Sequence, residues 1–173
     1  MEFNPEKCQV MTVSRKRTLY NFDYILHNKK LERVSEIKYL GIKITSNLKW
    51  DQQIDAACGR AKGILRFLSR NLKISSLKTK EMAYFSLVRP HVEYCCTVWD
   101  PFTGKNINKL EMVQRRAARY VTYDYDYKSS VSSMLNQLDW RTLEKRRRDA
   151  RLSMFYKIEN SLVSIDFDKY LFS

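Results

Sequence analysis

The chain has 173 residues, enough for one domain or one domain with part of another, and enough to bury a core without disulfides or metals. Apolar residues make up 44% and aromatics 13%, which excludes disorder along the whole chain, while only 4 glycines and 3 prolines disfavour a turn-rich β-sandwich. The 32 Lys and Arg outnumber the 19 Asp and Glu, for a net charge of +13. Such a surface attracts polyanions, nucleic acid first and an anionic membrane second.

The first 50 residues read as strands. Lys7 to Ser14 is short and carries β-branched residues, and a basic turn follows at Arg15 to Arg17. Asp23–Leu26 and Lys30–Val34 flank His27-Asn28-Lys29, a hairpin pattern with Asn28 at its tip. Lys38 to Ile44 (KYLGIKI) reads as one strand, with Gly41 marking a bulge or a close backbone approach.

The period changes near Trp50. Ile54, Ala57, Cys58, Ala61, Ile64, Leu65 and Leu68 recur with helical spacing, and Asp51 before them favours a helix N-terminus. Ser75 or Ser76 caps a second helix to about Val88, which Pro90 breaks or kinks. His91 to Trp99 reads as a short buried helix. A third helix covers about Asn106 to Val121, then a tyrosine-rich loop from Thr122 to Ser130. A short helix at Val131–Leu138 and a long one from Trp140 to about Leu162 complete the pattern. Ile165 to Phe172 has no clear assignment.

No C-x-x-C occurs among Cys8, Cys58, Cys95 and Cys96, so they read as reduced thiols in a reducing compartment. The two histidines, His27 and His91, lack the spacings that zinc sites use. Met1 opens no apolar signal segment, and no apolar run approaches the roughly 20 residues that span a bilayer. The expected location is intracellular, cytoplasmic or nuclear, with no membrane and no small-molecule substrate.

Catalytic chemistry finds little. Tyr123-Asp124-Tyr125-Asp126-Tyr127 imitates an aromatic-flanked acidic pair, but no third carboxylate shares its spacing, and a solvated loop is the better reading. His91 and Cys95 stand at i and i+4 and would activate a thiolate on a shared helical face, although buried packing is commoner for cysteine. No phosphate-binding glycine loop, dinucleotide fingerprint or zincin motif is present.

Basic clusters carry more. Lys62, Arg66, Arg70 and Lys73 form one stripe on the first helix, and Arg115, Arg116 and Arg119 a patch on the third. Arg141, Lys145, Arg146, Arg147, Arg148 and Arg151 crowd about three turns of the last, offset in sequence only by Glu144 and Asp149. Each alone is an ordinary solvated face. Three in one small chain favour phosphate contact.

Several blocks in order then resemble reverse transcriptases of non-LTR (LINE-type; jockey-, CR1- or Rex1-like) retrotransposons. Phe3-Asn4-Pro5-Glu6-Lys7-Cys8 resembles the segment after the catalytic aspartates, and Lys38-Tyr39-Leu40-Gly41-Ile42 the primer-grip turn. Leu87-Val88-Arg89-Pro90, Val98-Trp99-Asp100-Pro101, the stretch from Leu110 to Arg119 and Leu138 to Arg147 are similar to the helical region beyond the polymerase core. The resemblance implies an α+β fold: a palm remnant with a primer-grip hairpin over residues 1–50, then a helical thumb-like bundle over 51–173. It implies RNA or DNA template–primer as partner, with Tyr39, Leu40 and Gly41 at the primer end. Lys62, Arg66, Arg70, Lys73, Arg115, Arg116, Arg119, Lys145, Arg146, Arg147 and Arg148 would lie along the nucleic acid. The catalytic aspartates are expected upstream of residue 1, so no catalytic residue or cofactor is expected here; Mg2+ would belong to the missing catalytic palm. The alternatives are one piece of a split polymerase, with the upstream portion as partner, a polymerase with a wrongly bounded reading frame, and a decayed element fragment without selected function.

Overall fold

The computed structural model describes residues 3–14, 16 and 22–165. The expectation for Ile165 to Phe172 therefore falls almost wholly outside the described residues, as does most of the basic turn at Arg15 to Arg17. The chain divides into two compact units, Met1–Gln53 and Ile54–Ser173.

The first unit contains three short strand pairs. Asn4 caps a single 3-10 turn, Pro5–Lys7, its side-chain oxygen accepting from the Glu6 amide at 2.9 Å. β1 (Gln9–Val10) pairs in parallel with β4 (Glu32–Arg33). β2 (Ile25–Leu26) and β3 (Lys29–Lys30) are antiparallel, joined through His27 (φ 47°) and Asn28 (φ 59°). Two consecutive positive φ values give the tight turn whose twist suits a hairpin.

The KYLGIKI segment differs from expectation. It is two strands, β5 (Glu36–Tyr39) and β6 (Ile42–Thr45), antiparallel in the register Tyr39↔Ile42 to Glu36↔Thr45. Leu40 (φ 45°) and Gly41 (φ 86°) make the reversal. Gly41 supplies the turn residue that the sequence signalled as a bulge; leucine in the left-handed region is uncommon and gives no such signal. The Gln53 side chain closes the unit by accepting from the Lys43 amide at 2.9 Å.

The second unit is helical. α1 (Asp51–Asn71) buries Ile54, Ala57, Cys58, Ala61, Leu65 and Leu68, the apolar stripe of the sequence. Ser76 caps α2 (Leu77–Ala83), accepting from the Thr79 amide at 3.2 Å. Pro90 neither ends nor visibly interrupts the rod. α2 runs into a π-helical turn, Tyr84–Val88, and then α3 (Arg89–Glu93). The Arg89 amide reaches back to the Tyr84 carbonyl, five residues away, just before the proline. The wide turn opens the place where the proline ring would collide with the carbonyl four residues behind it.

The expected helix His91–Trp99 stops at Glu93. Tyr94 to Val98 form turns around Cys95 (φ 51°), and Trp99 is fully buried with its indole N–H donating to the Tyr94 carbonyl at 2.8 Å. α4 (Gly104–Thr122) follows, capped by Thr103 and ended by Tyr123 in the left-handed region. It packs on α2, α5 (Val131–Gln137) and α6 (Leu143–Glu159). Trp140 stacks on Tyr84 at 4.4 Å between ring centroids and donates to Glu81 at 2.8 Å. No helix among the described residues is long and apolar enough to cross a membrane.

Candidate nucleic-acid interface

Most of the basic stripe of α1 faces solvent. Arg66 and Arg70 are exposed and Lys62 is half-buried at the edge of the packed face. Lys73 is exposed, and it sits in the turn after α1 rather than on the helix. None of the four forms an ion pair among the described residues. The carboxylate of α1 at Asp55 is already engaged, by Lys109 at 2.6 Å.

On α4, Arg115 and Arg116 are exposed. Arg119 is turned inward. Its guanidinium donates to the Asp126 carbonyl at 2.8 Å and to the Asp124 and Ser129 carbonyls at 3.4 Å each. It fixes the loop after α4, and its donors are largely used.

The last helix departs furthest from the sequence reading. Arg146 forms a two-pronged contact with Glu93, one prong a hydrogen bond of 3.1 Å, and Glu93 also meets Arg89 at 3.5 Å. The Glu93 hydrogen bond raises the Arg146 pKa further above its already high value. Arg147 is only 1% exposed and pairs with Asp100 at 2.9 Å through Nε, while Arg151 holds the other Asp100 oxygen at 2.6 Å. Arg141 pairs with Asp149 at 2.7 Å. The like charges that looked unopposed along the helix are met by carboxylates from the α3 end and the turn after it. Only Lys145 and Arg148 of the predicted set on α6 stay exposed without an ion pair among the described residues.

Glu93, Asp100, Glu111 and Gln114 are the residues that sequence reasoning did not single out individually. Glu111 accepts from the Glu144 amide at 2.8 Å and Gln114 donates to the Arg141 carbonyl at 2.9 Å, so α4 seats the first turn of α6. The signal was present as buried polar positions inside an apolar stripe, but a partner 27 to 53 residues away leaves no local mark.

In the first unit, Tyr39 and Leu40 are exposed at the β5–β6 tip beside Gly41.

The acidic loop is not a cation site of the usual kind. Asp124 Oδ1 accepts from the Asp126 amide and Asp126 Oδ1 from the Lys128 amide, each at 3.0 Å. Hydrogen bonds from Ser129 and the Asp126 amide hold the Asp124 carboxyl below its usual range. No group of three or more His, Cys, Asp or Glu able to hold a metal occurs among the described residues. His91 and Cys95 do not share a helical face, because Cys95 lies beyond the helix end in the left-handed region. Burial pushes the Cys58 and Cys96 thiols up, away from thiolate chemistry.

No family model matches the chain, and no solved structure matches it. Over 139 residues, 78% of its length, the chain is 26% identical to a probable RNA-directed DNA polymerase from transposon BS of Drosophila melanogaster. That likeness supports a relationship to transposon reverse transcriptases. The matched stretch is 15% of the polymerase, so the chain corresponds to a small part of that relative.

Proposed function

We propose that this chain is the post-catalytic palm, primer-grip and thumb part of a non-LTR retrotransposon reverse transcriptase, and that its own role is sequence-nonspecific contact with template–primer duplex. The α+β order, strands before residue 46 and helices from residue 51, is the arrangement this reading expects. The observation that carries it is the contrast between helices. Arg146, Arg147 and Arg151 of α6 are committed to Glu93 and Asp100, whereas Lys62, Arg66, Arg70 and Lys73 form no ion pair among the described residues. Arg115, Arg116, Lys145 and Arg148 extend the available cations, and Tyr39, Leu40 and Gly41 supply the grip-like tip. The chemistry of nucleotide addition, with its aspartates and Mg2+, belongs to the upstream portion that the family carries.

The test is fluorescence anisotropy with a labelled RNA–DNA hybrid at several salt concentrations. Each phosphate contact contributes a slope of about −0.9 in log affinity against log salt. Four contacts predict a slope of about −3.6, and the double variant Arg66→Glu/Arg70→Glu should reduce it by about 2. A slope near zero, or a double variant that binds like the parent, rejects the reading.

A further inference from the structure

The loop after α4 exposes three tyrosines in alternation: Tyr123, Tyr125 and Tyr127, the last 85% exposed. Packing does not explain them, since a ring left in water forgoes the stabilisation its burial would bring. Nor is the loop merely loose chain. Arg119 ties three of its carbonyls, both aspartates close turns onto the loop's own amides, and Tyr123 and Tyr125 meet edge to face at 5.9 Å. The rings are held outward by a built scaffold, so little ordering remains to oppose a ligand.

Cations accompany the rings. Lys80 of α2, only 5% exposed, places its ammonium 4.7 Å from the Tyr123 ring centroid and 5.8 Å from that of Tyr120. Lys128 lies 5.7 Å from the Tyr127 centroid. One oxygen of each of Asp124 and Asp126 accepts from a loop amide, which fixes where these two negative charges sit without removing them. The buried Lys80 props the Tyr123 ring, while the exposed Tyr127 ring beside the exposed Lys128 matches one kind of polymer unit: an unstacked base joined to a phosphate.

We propose that Tyr125 and Tyr127, supported by Tyr123, Lys80 and Lys128, form a stacking platform for single-stranded nucleic acid. A duplex keeps its bases stacked on each other and offers these rings nothing to stack on. The platform thus adds a single-strand site to the duplex contact proposed for α1, and it deepens that reading by naming the form of nucleic acid taken at this loop. Stacking is sequence-tolerant, because every base has a π-face.

The experiment uses the full chain with two labelled probes, an oligo(U) of about 12 nucleotides and an RNA–DNA hybrid of about 12 base pairs, each long enough to cover one binding site. Tyr125→Ala/Tyr127→Ala should weaken oligo(U) binding by about 5- to 150-fold per stacked ring and leave hybrid affinity within about twofold. Tyr125→Phe/Tyr127→Phe keeps the rings and should bind oligo(U) like the parent. Equal loss on both probes, no loss on oligo(U), or a Phe variant as weak as the Ala variant overturns the platform. The α1 reading fails separately, when hybrid affinity ignores Arg66→Glu/Arg70→Glu, and the platform survives that result as long as oligo(U) binding still depends on the rings.

Discussion

Asp100→Asn isolates the buried charge at the centre of the helical unit. Arg147 is 1% exposed and its one ionic partner among the described residues is Asp100, through a 2.9 Å hydrogen bond. Its two terminal guanidinium nitrogens have no hydrogen-bond partner among the described residues. The amide that replaces the carboxylate would keep the shape and one acceptor but remove the charge. At an effective dielectric near 20, unit charges about 4 Å apart interact by roughly 4 kcal/mol. Breaking a buried pair by deleting one partner costs about 3–5 kcal/mol. The Arg151 contact adds little, since that side chain is half exposed. A domain of this kind is stable by about 5–15 kcal/mol, so a cost of about 3–5 kcal/mol removes roughly a fifth of its stability or more. Arg147→Met supplies the contrast. It removes the ion along with its unsatisfied nitrogens, leaves Asp100 paired with Arg151, and should cost less than half as much. Urea denaturation followed by circular dichroism measures both. Reasoning from the buried charge is refuted when Arg147→Met proves as costly as Asp100→Asn, or when Asp100→Asn costs under about 1 kcal/mol. Arg147→Met should also leave hybrid affinity unchanged, since this arginine is inside.

Three further outcomes follow from the same geometry. Trp140→Ala should cost about 3–5 kcal/mol, through loss of the Tyr84 stack and a cavity, whereas Tyr84→Phe should be neutral or mildly stabilising, because its buried hydroxyl has no partner among the described residues; urea melts of both decide. Cys58 and Cys96 should alkylate far more slowly than the half-buried Cys8 and Cys95 in a mass-spectrometric time course, and equal rates would contradict their burial. Because burial raises both thiols above their ordinary 9.0, their contribution to stability is complete below that pH and is lost as pH rises through the folded values. Gly41→Ala should cost about 1 kcal/mol or more, since φ is 86° there, and should speed amide exchange in the β5–β6 hairpin about fivefold or more.

What was legible in the sequence was local. The apolar period of α1 recurs along most of the helix, and nothing else competes for that pattern. The Ser76 cap and the His27-Asn28 turn depend on residues within three positions of each other. The misread elements depended on less visible causes. Leu40 in a left-handed turn split one expected strand into two. The proline at 90 was read as a break or a kink, and a wide turn carries the helical run past it without a break. The basic run of α6 appeared self-repelling because Glu93 and Asp100, which neutralise it, lie 47 to 53 residues upstream. The same distance effect sorted the candidate interface: α1 kept its cations available, while α6 turned two of its own into core and support.

The π-helical turn at Tyr84–Val88 has a consequence for phase. In a regular α-helix every fourth residue drifts about 40° around the axis. Tyr84, Val88 and Val92 are spaced by four, yet all three are almost completely buried. The surplus residue in the wide turn takes back one step of drift and keeps the three in a single file. Removing one residue between 84 and 88 would do more than shorten the rod by a rise. It would turn everything after it, Glu93 included, by about a quarter of a revolution relative to α2. The length of this segment is therefore fixed as firmly as its composition, and a one-residue deletion there changes which side chains meet α6.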